Sequence, residues 1–218
     1  MASDTRDGWD IRSDDETPHE GGFRARIEVT TDRGGPRYGE LNEQIRRLMD
    51  LARYASPEGA ETEELLEQIT ALNERLTKVQ VDEWHTPAGT RVDLPARGNI
   101  TLPPYVISSA SADGVVAEVT FRPFHLGGNN AAHGGQVGVA FDDLGGMASA
   151  LAINGVTRTA YLTVQYRSLT PLSTPLTCRT WVDKREGRKA FVKGTLHDGD
   201  RLCAELDSLF IELKPGQP

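Results

Sequence analysis

Cysteine is scarce: Cys178 and Cys203 are the only two in 218 residues, and they match neither a metal nor a redox spacing. That excludes a disulfide scaffold and a zinc finger and makes a reduced, cytoplasmic setting the expectation. An excess of positive charge is also missing. With 24 Lys/Arg against 32 Asp/Glu and a pI near 5.2, the chain lacks the basic footprint that nucleic acid requires. No apolar run approaches the ~20 residues of a membrane span, so no membrane partner is expected. The start, Met1-Ala2-Ser3-Asp4, lacks the apolar core of a signal peptide. There is no internal repeat. What remains is 38% hydrophobic residues, enough for the core of one or two modest domains.

The acidity is uneven. Residues 1–80 hold 18 acidic and 11 basic side chains; residues 81–218 hold 14 and 13. Residues 1–37 are polar and Gly-rich and read as a flexible arm, with Ile27–Thr30 the one short strand candidate. Residues 38–80 read as a helical hairpin. Leu41, Ile45, Leu48 and Ala52 form one stripe; Leu65, Ile69, Leu72, Leu76 and Val79 form a second, with Ser56-Pro57 between them. These stripes are expected to pack on the main domain or on a partner subunit. Residues 81–114 form a connector with room for a short strand, in which Leu102-Pro103-Pro104-Tyr105 excludes a helix. From 115 to 213 one strand (Val115–Phe121), one apolar helix (Gly134–Ile153) and four further strands follow in meander order. The four are Thr159–Ser168, Leu176–Lys184, Lys189–Asp198 and Arg201–Ile211. This order predicts an α+β fold in which an antiparallel sheet wraps a central helix.

The helix carries the chemistry. At ~100° per residue, Val137, Phe141, Leu144, Ala148 and Leu151 share a stripe. Asp142 lies off it, beside Gly138, Gly145, Gly146 and Ser149; Asp143 lies on a third face. Glycines inside a helix cost about 1 kcal/mol each relative to alanine, so those near Asp142 answer either to close backbone packing or to a ligand. Burial of Asp142 would raise its pKa and make it a better base. The segment His133-Gly134-Gly135 opens the helix, where free N–H groups and the helix dipole can polarise a carbonyl. A carboxylate two turns on could act as base or nucleophile, which points to acyl chemistry.

His133-Gly134-Gly135 with Asp142 nine positions after the histidine, set after a strand and opening the central helix, resembles hotdog-fold acyl-CoA thioesterases of the phenylacetate-pathway, PaaI-like group. The resemblance covers about residues 97–213 and includes Leu162–Tyr166 through Pro171, Gly187-Arg188 and Ala204–Leu213. It implies that the Gly134 N–H polarises a thioester carbonyl, that Asp142 is general base or nucleophile, and that His133 shapes the site. Thr159 matches a Ser/Thr position that in some members orients the attacking water from the partner subunit. A homodimer or homotetramer is implied, with sites across a dimer interface. So is an acyl-CoA substrate, with coenzyme A as part of the substrate and no separate cofactor. Many members carry Asn or Gln six residues before the histidine. Here that position is Gly127, and Asn129 and Asn130 are the candidates to take its place, with Gly135 beside them as a substrate contact.

Coenzyme A carries phosphates, for which Arg158, Arg185 and Arg188 are candidate contacts; a solvated hairpin tip is the competing reading for the last two. Asp143 is the rival carboxylate, disfavoured by family spacing. His125 and His133 lack a third ligand, so no metal site is expected. No Gly-x-Ser-x-Gly elbow, phosphate loop or dinucleotide fingerprint occurs, and both cysteines read as small core residues. The alternative to an enzyme is a non-catalytic acyl-CoA or lipid-binding dimer in which Asp142 is structural.

Overall fold

The computed structural model describes residues 29–82 and 85–214. Its element order is α1 (Tyr38–Ala52), α2 (Ala60–Thr77), β1 (Tyr105–Ser111), β2 (Gly114–Thr120), β3 (Leu126–Gly128), β4 (Ala131–Ala132), α3 (Gly134–Ile153), β5 (Thr157–Tyr166), β6 (Pro175–Glu186), β7 (Lys189–Asp198) and β8 (Arg201–Glu212). Six strands form one antiparallel sheet in the order β1-β2-β6-β7-β8-β5, and β3 pairs with β4 as a small hairpin. The α+β hotdog expectation is met: the sheet curls round α3.

The helix starts and stops where its sequence dictates. His133 is the N-cap, and its Nδ1 accepts from the Gly135 N–H at 3.0 Å. Asn154 takes the left-handed conformation (φ 57°, ψ 47°) that ends helices. Val137, Phe141, Leu144 and Ala148 are buried against Val119, Leu176, Val192, Leu206 and Phe210 of the sheet. The Thr180 hydroxyl donates to the Leu144 carbonyl at 2.9 Å and ties helix to sheet. Cys178 and Cys203 are buried, unpaired core residues, and burial pushes the Cys178 thiol up to about 12.

β1 is the short strand that the connector allowed; its bounds carry no signal, because Val106-Ile107-Ser108 has no strict alternation and the strand is an edge with a bulge between Ile107 and Ser109. β3 and β4 are too short for any period. Of the short strand predicted at Ile27–Thr30, Ile27 and Glu28 fall outside the described residues; Thr30 bridges to Arg91. Residues 33–35, at the end of the predicted arm, are tied down: the buried Arg91 guanidinium donates to the carbonyls of Arg33 (2.7 Å) and Gly35 (3.3 Å).

The extension also departs from its pattern. Both helices form, but α1 docks through polar residues. Its buried side chains are Asn42 and Arg46, which donate to the carbonyls of Gly98 (2.8 Å) and Asn99 (2.9 Å). Asp50 and Glu43 pair with Arg122 at 2.7 Å each. The predicted stripe residues Leu41 and Leu48 are exposed, and α2 buries no residue. Ion pairs and carbonyl contacts from the connector override the apolar period, which is a weak prior once tertiary partners exist. No described helix is long and apolar enough to cross a membrane.

Candidate active site

The site is built along one seam, where the edge strand β5 runs antiparallel to α3. A bulge between Thr159 and Tyr161 interrupts β5. An extra residue flips the alternation of a strand, so Thr157 and Thr159 face the helix before it and Leu162 and Tyr166 face it after. Thr157 meets Ser149 (Oγ1 to Oγ, 2.6 Å). The Thr159 hydroxyl donates to Asp142 Oδ1 at 2.7 Å. Leu162 lies 3.6 Å from where a Cβ on Gly138 would stand. The Tyr166 hydroxyl donates to the Gly134 carbonyl at 2.8 Å.

Adjacent carboxylates on α3 have different fates. Asp142 is exposed and held by Thr159, not buried as the apolar surroundings on its helix suggested. Its exposed companions are Gly135 and Val139. Gly145 and Gly146 instead pack against Phe210, with Cβ positions 3.3 and 3.5 Å from its ring. Close packing explains those two glycines. Asp143 is bound on the opposite side: Arg97 donates to its Oδ1 at 2.7 Å and the buried Tyr105 hydroxyl to its Oδ2 at 2.5 Å. Burial raises the Tyr105 pKa, which keeps the phenol protonated and donating. Arg97 comes from a turn at Pro95–Gly98 in which Ala96 and Arg97 both have positive φ (51° and 52°). That backbone costs of order 1–3 kcal/mol per residue, and the Asp143 pair helps to hold it. The sequence showed no partner for Asp143, because Arg97 is 46 positions away.

At the start of α3 the amides of Gln136 and Val137 donate to the His133 carbonyl (2.9 and 3.4 Å) and that of Gly135 to the His133 ring. The Gly134 N–H, first in the helix, has no intrahelical partner and takes none from the flanking backbone among the described residues. His133 is exposed. Its backbone N–H donates to the His125 carbonyl at 2.8 Å, which fixes the chain entering the helix. Gly127 explains the departure from the family pattern: a Cβ there would stand 2.6 Å from the His133 Cα, so no side chain fits. Asn129 and Asn130 form the exposed tip of the β3–β4 hairpin with φ of 48° and 57°, a conformation Asn tolerates well. 

Arg158 is exposed on β5 beside Thr159. Arg185 pairs with the Glu212 carboxylate at 3.1 Å and Arg188 donates to the Glu212 carbonyl at 2.9 Å. Strand register brings all three to one end of the sheet, since Ile211 faces both Arg158 and Lys189. His125, not singled out as a site residue, is buried. Its Nδ1 accepts from the Arg122 N–H at 2.8 Å, and burial lowers its pKa to about 4.

One distance constrains the chemistry. Gly134 and Asp142 are eight residues apart on a continuous helix, about 12 Å at ~1.5 Å per residue. A carbonyl accepting from Gly134 and a water held by Asp142 need hydrogen-bond distances of about 3 Å each. The two groups of one chain therefore cannot serve one carbonyl, and the intrachain pairing suggested by the two-turn spacing is corrected.

Comparisons with known proteins agree with this architecture. Residues 129–205 match the family model described as the thioesterase superfamily. The chain is 36% identical over 95 residues to acyl-coenzyme A thioesterase THEM4 of Xenopus laevis, 43% of this chain and 42% of that one. It is 33% identical over 88 residues to THEM4 of Rattus norvegicus, 39% of this chain and 37% of the other. The chain thus spans about two fifths of the length of these curated relatives. A crystal structure described as a thioesterase superfamily protein superposes with a TM-score of 0.70 at 24% identity, covering 84% of this chain and 100% of its own; it shares the fold. Over residues 129–205 the chain is thus similar to the thioesterase superfamily, and its architecture is a hotdog fold.

Proposed function

We propose that the chain is an acyl-CoA thioesterase, hydrolysing a thioester to a carboxylic acid and free coenzyme A. The observation that carries this is the state of Asp142: exposed, with Oδ1 oriented by Thr159, on the helix whose first amide takes no backbone partner among the described residues. The Gly134 N–H polarises the thioester carbonyl. In one route Asp142 takes a proton from a water as that water attacks the carbonyl carbon, the C–S bond breaks, and the proton held by Asp142 goes to the leaving thiolate of coenzyme A. In the other Asp142 attacks directly, the C–S bond breaks to leave an acyl-Asp142 anhydride and the thiolate, and a water then hydrolyses the anhydride, releasing the acid, restoring the carboxylate and supplying the proton that the thiolate takes up. His133, Gly135, Asn129 and Asn130 line the approach to the amide. Arg158, Arg185 and Arg188 sit at the Thr159 end, where the phosphates of coenzyme A would meet them.

The ~12 Å between the two groups is bridged by a second copy, its Asp142 lying opposite the first copy's Gly134. The edge of β5 suits that assembly: ten residues without proline or lysine, unpaired on one side. Light scattering is expected to return a multiple of 23.8 kDa; a monomer at assay concentration would contradict the shared site.

The test of function is free-thiol release from acetyl-, hexanoyl-, palmitoyl-, benzoyl- and phenylacetyl-CoA. Turnover of at least one supports the reading. Binding of acyl-CoA without turnover would leave the non-catalytic dimer instead.

A further inference from the structure

We infer that Tyr166 determines acyl specificity, its ring forming a fixed wall beside the Gly134 amide that discriminates against acyl groups branched at the α-carbon. This rests on the thioesterase reading above. The ring is held, not free: its hydroxyl donates to the Gly134 carbonyl at 2.8 Å, and its Cζ and Cε1 lie 2.9 and 3.3 Å from where a Cβ on Gly134 would stand. A side chain at 134 would therefore push the Tyr166 ring out of this position. The same residue presents the open N–H, so whatever accepts from that N–H sits next to the ring.

Tyr166 is nonetheless 55% exposed. A side chain whose only polar atom is already bonded within the protein is showing an apolar ring to the space in front of the amide. An acyl oxygen about 2.9 Å from the Gly134 nitrogen brings the carbonyl carbon and the α-carbon within van der Waals range of that ring. A planar α-carbon or a CH2 can lie along a flat wall; a tetrahedral branch projects into it. Because the hydroxyl fixes the ring before substrate arrives, the wall is preorganised and discriminates without first being ordered. A missing or extra methyl in such a pocket changes rates by roughly 10–200-fold. The β5 bulge is what turns Tyr166 inward, which is why the bare alternation of the strand does not mark it.

The test is the ratio of kcat/KM for 2-methylhexanoyl-CoA to that for hexanoyl-CoA in wild type, Tyr166→Ala and Tyr166→Phe. Tyr166→Ala is expected to raise the ratio tenfold or more; Tyr166→Phe, which keeps the ring but loses the bond that fixes it, is expected to raise it by less than Tyr166→Ala. If Tyr166→Ala turns over neither substrate, the same ratio is read from calorimetric Kd values of the non-hydrolysable keto analogues of the two thioesters. A folded Tyr166→Ala protein whose ratio stays at the wild-type value overturns the inference alone. No turnover of any acyl-CoA by wild type overturns the thioesterase reading, and this inference with it.

Discussion

Asp142 and Asp143 are neighbours in sequence and opposites in the fold. Asp142 faces the edge strand, is exposed, and accepts from a neutral partner, the Thr159 hydroxyl. Asp143 faces the connector, is only 20% exposed, and is bound by a guanidinium and a phenol. A rotation of ~100° per residue turns one carboxylate to the edge strand and the other to the connector; on the proposed function the first reacts and the second is scaffold. The difference teaches what the extension does: through Asn42, Arg46 and the strained Ala96-Arg97 turn, α1 is fastened to the Asp143 side of α3.

The largest effect that would break the comparison is expected at Arg97. Arg97→Met leaves Asp143 charged and part-buried and removes the contact that holds the turn. Stability should fall by about 3 kcal/mol, measured by urea unfolding, while turnover per folded molecule stays within a few-fold. A stable Arg97→Met protein would show that Asp143 is not scaffold.

On the reactive side, Thr159→Ala frees Asp142 to rotate. A fall in kcat of about tenfold, roughly 1.4 kcal/mol, is expected, with Thr159→Ser restoring most of it and stability nearly unchanged. Equal kcat in wild type and Thr159→Ala would mean that Asp142 needs no orientation.

Acid sharpens the scaffold side further. The folded His125 has a pKa of about 4 against an ordinary value near 6.5. Between these values the unfolded chain binds the proton and the folded chain does not, so stability falls as pH drops from about 6.5 to about 4. His125→Asn keeps an acceptor for the Arg122 N–H and cannot titrate. Its urea midpoint should depend less on pH across that window than that of wild type, the smallest of these effects at neutral pH; identical slopes would assign the acid sensitivity elsewhere.

Much of this was legible in the sequence, for physical reasons. The 20 residues of α3 read correctly because an apolar helix bounded by a His-Gly-Gly start and an Asn-Gly stop leaves little freedom. The four meander strands read correctly because Gly187 and Gly199 mark their turns, both at positive φ. The seam was legible at Asp142 and Gly134 but not at Tyr166, since the bulge that aims it comes from pairing with β8. The Asp143 clamp was illegible because Arg97 and Tyr105 are 46 and 38 positions away. The stripes of α1 and α2 formed helices without predicting contacts: charged partners at Arg122 decided which face of α1 docks.

The division between the two aspartates is tested most directly by Asp142→Asn and Asp143→Asn side by side, each scored for thiol release and for thermal unfolding. Asp142→Asn should unfold like wild type and lose at least 100-fold in kcat, the least that removal of a general base costs. Asp143→Asn should unfold at lower temperature and retain turnover. The reverse pattern, an unstable Asp142→Asn and an inactive, stable Asp143→Asn, would contradict the assignment.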